Sequence, residues 1–213
     1  CLDSVSPNRD EILLLTEDQN HCHLTTAINE LKQEGYNITI IPVNGVRNLG
    51  VASTFVALRD HMPSSTRILI HRDRDFLIKS EITGWLALTF PKHTERPDVF
   101  VTRYCDIESY YCSKEYISRL YQDVPDIETL YNKIMREYQN EARSDFVRKR
   151  EYNNRQNYLP EGASPTNDSI WPPSTPISLS TVVGKKFLRR LKDQLAKQKI
   201  DISRIGSVAP DEL

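Results

Sequence analysis

The chain has 213 residues, 38% hydrophobic and 27% charged, with 28 basic and 29 acidic side chains and a formal net charge of −1. These values describe a folded chain long enough for one large domain, and they exclude intrinsic disorder and a uniformly basic coat for nucleic acid. No apolar run approaches the roughly 18 residues of a membrane span and no secretory h-region is present, so a cytoplasmic protein without membrane contact is expected.

The first predicted element is a buried strand over Glu11–Thr16, ending directly in Glu17-Asp18-Gln19-Asn20. Leu24, Ala27, Ile28 and Leu31 then follow i, i+3, i+4, i+7, the pattern of a helix buried on one face, and Gly35 stops it. Asn37–Val43 is the second strand, followed by an Asn44-Gly45 turn. Gly50–Met62 reads as a helix closed by Pro63, Arg67–His71 as the third strand, Lys79–Phe90 as a helix and Asp98–Thr102 as the fourth strand. Strands alternating with helices at this spacing predict a parallel sheet with right-handed crossovers.

Beyond Thr102 the character changes. Ser113–Tyr121 and Asp126–Tyr152 are predicted helices, the second carrying Leu130, Ile134, Tyr138 and Ala142 at spacings of four. Its end bears Arg143, Arg148, Lys149, Arg150 and Arg155, a run that reads as a solvated face or as a track for a phosphate backbone. Asn153–Pro176 has no apolar period and reads as a loop or flap, and a last helix over Gly184–Lys197 turns Phe187, Leu188, Leu191 and Leu195 inward. The expected layout is thus an α/β core over 1–112, a helical insertion over 113–152, a loop or flap over 153–180 and a C-terminal helix over 181–213.

The chemistry centres on His71-Arg72-Asp73-Arg74-Asp75, where an apolar strand runs into two carboxylates at i and i+2. In an extended exit these point to one side, and a divalent cation is the usual way to satisfy both. The other candidate acids also fall where strands end: Glu17 after the first and Glu108 after the fourth. In a parallel sheet those ends share one edge, where ligands collect. Carboxylates converging there call for one or two divalent ions and so for a phosphoryl-transfer centre. The four cysteines, Cys1, Cys22, Cys105 and Cys112, form no CxxC pair and read as reduced thiols. Zinc at His21-Cys22-His23 is not expected, because adjacent residues rarely face one ion and no partner motif exists. A start at Cys1 rather than Met reads as a processed chain or a piece of something longer.

In order and spacing, Thr16-Glu17-Asp18, Asn44-Gly45, His71-Arg72-Asp73-Arg74-Asp75 and Asp106-Ile107-Glu108-Ser109-Tyr110 resemble a Toprim domain, most closely that of the OLD (overcoming lysogenisation defect) nucleases of bacterial anti-phage defence. The resemblance covers about Glu11–Tyr111 and, more loosely, Gly184–Leu195. It implies a Toprim-like four-stranded parallel sheet flanked by helices, with a helical C-terminal extension. It implies an endonuclease using Mg²⁺ or Mn²⁺ on DNA, RNA or tRNA. Glu17 would be ligand or general acid/base, Asp73 and Asp75 metal ligands, Glu108 the residue completing a second metal site, and Lys185 the charge stabiliser at the scissile phosphate. Where the family often has an acid four residues after the first Glu, this chain has His21, so either Asp18 would supply the missing ligand or one metal site would be weaker. The resemblance also implies an ABC-type ATPase, upstream or on a separate chain since no P-loop is present here, and a larger complex or homo-oligomer. Two other readings compete: a degenerate Toprim acting as an assembly module, and a DxD glycosyltransferase, which leaves Glu108 and the Gly-Lys helix unexplained.

Overall fold

The structure, a computed structural model, describes residues 11–19, 22–62, 65–92, 97–153, 155–160 and 162–213. The positions of Cys1, His21 and Pro63, on which three expectations rested, lie outside the described residues. The chain divides into two compact units, the first running to Arg72 and adding Thr89–Val101, the second made of Asp73–Leu88 and Thr102–Leu213.

The first unit holds the sheet. Strands β1 (Glu11–Thr16), β2 (Asn37–Pro42), β3 (Arg67–Arg72) and β4 (Asp98–Val101) are all parallel in the order β2-β1-β3-β4, and helices α1 (Cys22–Gln33) and α2 (Ala52–Ala57) connect them. The α/β architecture with a four-stranded parallel sheet is as the sequence predicts. Leu15 and Ile70 are fully buried on the central pair β1 and β3, which is where continuous apolar runs belong in a parallel sheet. Thr16 pairs in register with Pro42 on one side and His71 on the other, so β1 and β3 leave the sheet at the same edge. The predicted helix over Gly50–Met62 is broken into a 3-10 turn over Val46–Val51, the short α2 and a second 3-10 turn over Arg59–His61.

The second unit is mainly helical: the greater part of α3 (Lys79–Thr89), then α4 (Lys114–Leu120), α5 (Ile127–Tyr152), α6 (Asn167–Ile170) and α7 (Gly184–Lys197). Helix α5 buries Ile127, Tyr131, Ile134, Tyr138, Ala142, Phe146 and Arg150, a stripe at spacings of three and four. Helix α7 buries Phe187, Leu188, Leu191 and Leu195 as expected, and the Phe187 ring meets Tyr131 and Tyr138 of α5 at 5.6 and 5.9 Å. Each such buried side chain contributes about 1.5–3 kcal/mol.

Two expectations are revised here. The stretch read as a loop or flap is irregular but anchored. It carries α6 and the 3-10 turns Arg155–Tyr158 and Leu179–Thr181, and Trp171 is only 2% exposed. The Trp171 indole packs edge-on to Phe146 at 5.4 Å and donates to the Thr175 carbonyl at 3.0 Å. Trp171 anchors this segment together with polar ties from Asp168 to Arg143, Asn167 to Arg150 and Ser164 to Glu81. The basic run on α5 is a solvated face only in part, with Arg148 67% exposed and Arg150 buried. Arg143 pairs with Asp168 at 2.5 Å, Arg148 with Asp145, Lys149 with Asp75, and Arg150 is fully buried against Glu81. No helix among the described residues is long and apolar enough to cross a membrane.

Candidate metal centre and its helical clamp

In the second unit the chain leaves Arg72 through a tight exit turn. Asp75 and Phe76 both take left-handed conformations, with φ of 51° and 62°. For non-glycine residues this costs about 1–2 kcal/mol each, so the surroundings must over-determine it. Three bonds tie the turn to the segment after β4. The Arg74 amide donates to the Thr102 hydroxyl at 2.8 Å, the Asp75 amide to the Cys105 carbonyl at 2.8 Å, and the Ile107 amide to Asp73 Oδ1 at 3.2 Å.

The opposite support comes from one face of α5. Phe146 packs its ring on Phe76 at 4.9 Å, Lys149 donates to Asp75 Oδ1, and Arg150 donates to the Phe76 carbonyl at 2.6 Å. These are positions i, i+3 and i+4 of a helix, which share a face. Arg150 is itself held by both Glu81 oxygens, at 2.8 and 3.0 Å, and by Asn167 Oδ1 at 3.0 Å. Glu81 also accepts from the Ile78 amide at 2.9 Å and from the Ser164 hydroxyl.

The segment after β4 becomes a 3-10 turn over Ile107–Cys112, with Asp106 at its N-cap. The Asp106 carboxylate is fully buried and accepts from the Ser109 amide (3.0 Å) and hydroxyl (2.7 Å). It also accepts from the Gly184 amide at 3.0 Å and the Lys185 amide at 3.3 Å. Asp106 therefore caps two elements at once, and in doing so sets Glu108 and Lys185 relative to each other. Burial, reinforced by the Glu108 charge, pushes Asp106 up to about 6, against the pull of Ser109, Lys149 and the Lys185 amide. At Gly184 a Cβ would overlap Asp106 Oδ1 and the Ser109 amide, so only glycine lets α7 begin this close.

Lys185 Nζ consequently lies 3.7 Å from Asp73 Oδ2 and 3.8 Å from Glu108 Oε2. Asp73 and Glu108 are 4% and 6% exposed, whereas the Lys185 side chain is 46% exposed. Of the sequence-predicted residues, Asp73, Glu108 and Lys185 are thus brought together. Asp75 is turned to Lys149, because the backbone at Asp75 is left-handed and not extended, and the i, i+2 rule for an extended exit does not apply. Burial draws the Lys149 ammonium down, but the Asp75 carboxylate, with Cys105 and Asp73 behind it, outweighs this and holds it above its ordinary value.

Glu17 and Asp18 belong to the first unit, at the end of β1. Glu17 is half-buried and its carbonyl accepts the Gly45 amide at 2.8 Å. Asp18 is buried, its amide reaches the Thr16 hydroxyl at 3.3 Å, and that hydroxyl bonds His71 Nδ1 at 2.9 Å. The ligating atoms of Asp18 and His71 lie within 4.8 Å of each other, and both are oxygen or nitrogen donors suited to a divalent cation. Sequence reasoning missed His71, Asp106 and Lys149 as site residues. Asp106 alone left a local signal, an Asp three residues ahead of Ser109 at the start of a turn.

Cys105 and Cys112 are buried thiols, raised well above their ordinary range by burial, and Cys22 is exposed. No protein-family model, curated protein or solved structure matches the chain.

Proposed function

We propose that the protein is a divalent-metal-dependent nuclease of the Toprim type, hydrolysing phosphodiester bonds of DNA or RNA, tRNA included. One observation carries this reading. Two nearly buried carboxylates, Asp73 and Glu108, face the same half-exposed ammonium of Lys185 at 3.7 and 3.8 Å. Buried carboxylates held this way demand positive charge, and the donor set is all hard oxygen, which suits Mg²⁺ or Mn²⁺.

Asp73 and Glu108 would hold the ion. When bound, the ion supplies Lewis acidity at the phosphate. Lys185 has the exposure to turn toward a phosphate and offset the charge that develops on it. Asp106 holds the α7 N-terminus and so fixes the point from which Lys185 swings. A cavity lined by Asp145, Arg148, Lys149, Tyr152, Val183 and Lys186 carries three cations that Asp145 and Asp75 already pair, and Tyr152, 79% exposed, offers a ring on which a base can stack.

The test is cleavage of plasmid DNA and of tRNA with Mg²⁺ or Mn²⁺. Wild type should cut at least one of them, and Asp73→Ala and Glu108→Ala should not. Cleavage that survives both substitutions overturns the reading. A second reading, a Toprim fold kept as an assembly module, is favoured by the two lysines that already offset much of the acidic charge. A wild type that cuts neither substrate selects it. A partner ABC-type ATPase and a role in anti-phage defence are what the resemblance implies, a cytoplasmic location is what the scattered cysteines imply, and co-purification of the chain with an ATPase from its native cells tests the partner.

A further inference from the structure

A second cavity of the second unit, of about 190 Å³, lies between the exit turn, the segment after β4, α5 and the anchored segment ahead of α7. Its walls include the rings of Phe76, Tyr104, Phe146 and Trp171, and Arg74 and Arg103 add two cations. The polar atoms of two of these rings are already engaged. The Tyr104 hydroxyl donates to Glu212 at 2.8 Å and the Trp171 indole to the Thr175 carbonyl, so both offer the cavity ring surface. Arg103 is engaged as well, paired with Glu212 at 3.5 Å and lying over the Tyr104 ring. Arg74 is different. Its guanidinium makes no hydrogen bond or ion pair among the described residues, and its Nε is buried without a partner. A buried donor left unmet costs about 1–3 kcal/mol, so an acceptor from outside the fold stabilises it there.

We propose that this cavity seats one unpaired nucleobase of the substrate strand beside the cut, with the Arg74 guanidinium on that nucleotide's phosphate. This rests on the metal-dependent reading above and adds to it the class of substrate, a strand unpaired where it is cleaved. Size, chemistry and position support it. An apolar cavity of about 150 Å³ holds a benzene ring, whereas drug-sized ligands fill about 300–1,000 Å³. A cavity of about 190 Å³ therefore suits one heterocycle and not a whole nucleotide or cofactor. Aromatic walls beside an unengaged guanidinium match a flat ring that carries an anion next to it. Arg74 stands between Asp73 and Asp75 in the chain, and the Asp75 amide is tied to Cys105 in the cavity wall. The cavity thus starts one peptide link, about 3.8 Å between Cα atoms, from a carboxylate that would hold the ion. A base inside a duplex reaches such a seat only after unpairing and unstacking, at a cost of a few kcal/mol that is least for a base already single-stranded.

The experiment is titration of the whole chain, without metal, with a short oligothymidylate, a short oligouridylate and each annealed to its complement. Affinity is read by calorimetry and occupancy of the cavity by tryptophan emission. At least one single strand should bind at least about tenfold tighter than its duplex and quench the emission. Trp171→Phe should keep the binding and lose most of the quench, since it leaves a ring in the wall and only Trp85 to emit. Arg74→Gln should weaken single-strand binding by about tenfold. Arg136→Ala, which removes an exposed cation elsewhere on α5, should weaken it by less than about twofold. No binding, equal binding of strand and duplex, a quench that survives Trp171→Phe, or equal losses for Arg74→Gln and Arg136→Ala overturns the inference. Cleavage by the wild type with Mn²⁺ then still upholds the metal-dependent reading. Single-strand binding with the Trp171 quench but no cleavage with Mn²⁺ or Mg²⁺ overturns that reading and keeps the seat. If Trp171→Phe does not fold by circular dichroism, the comparison of Arg74→Gln with Arg136→Ala decides.

Discussion

Arg150 and Glu81 meet through two hydrogen bonds of 2.8 and 3.0 Å, and neither side chain has any solvent exposure. Breaking such a pair from one side strands a buried charge. Arg150→Ala and Glu81→Ala should each destabilise the protein by about 3–5 kcal/mol. An Arg150→Ala/Glu81→Ala double variant should lose much less than their sum. Urea denaturation of the three variants and a double-mutant cycle measure the difference, and full additivity would show that the pair is not coupled.

Gly184→Ala places a methyl group against Asp106 and Ser109. The start of α7 must then shift, at a cost of about 1–3 kcal/mol. Because Lys185 moves with it, Mn²⁺-dependent cleavage should fall further than the stability loss explains. Comparing activity at a temperature well below both melting points separates the two effects.

Asp106→Asn exchanges an all-acceptor carboxylate for a group with one oxygen and an NH₂. The four donors that now converge on Asp106, from Ser109, Gly184 and Lys185, cannot all be met. The expected loss is about 1–3 kcal/mol of stability. Thermal denaturation checks it, and an unchanged midpoint would show that Asp106 does not join the two elements.

Lys185→Met separates two roles of one side chain. Removing the ammonium should lower the cleavage rate by about 10²–10³-fold. It should also tighten Mn²⁺ binding, because a competing cation leaves Asp73 and Glu108. Weaker Mn²⁺ binding in this variant would show that Lys185 supports the ion instead of yielding to it.

Trp171→Ala tests whether the segment 155–181 is held by its one large anchor. Loss of the Phe146 contact and of the bond to Thr175 should open it to limited proteolysis while α5 and α7 stay protected. Cleavage sites read by mass spectrometry decide it.

The strands and α7 were legible because their signals are local. Leu13, Leu14 and Leu15 form a continuous run, and Phe187, Leu188, Leu191 and Leu195 keep a helical period. Glu17 and Asp73 were found because each follows a strand directly, and Glu108 because it lies shortly beyond the fourth. The clamp was not legible, for two physical reasons. Left-handed Asp75 and Phe76 carry no glycine to mark them. The burial of Arg150 depends on Glu81, 69 residues earlier in the chain, so a local reading sees only one cation among several. Trp171 was hidden in the same way, as a single apolar residue in a polar stretch whose partner Phe146 lies on another element.

The grip of α5 on the exit turn also supplies a fingerprint. Phe146, Lys149 and Arg150 must keep their three-and-four spacing, whereas the distance in sequence to Asp75 and Phe76 is unconstrained by the contact itself. A chain that pairs Asp-x-Asp-Phe after a strand with Phe-x-x-Lys-Arg on a later helix, and with a Glu five residues after the Phe to receive the arginine, would carry the same clamp. Such a pattern can find distant kin by paired substitutions, Lys149 changing with Asp75 and Arg150 with Glu81, where overall identity has faded.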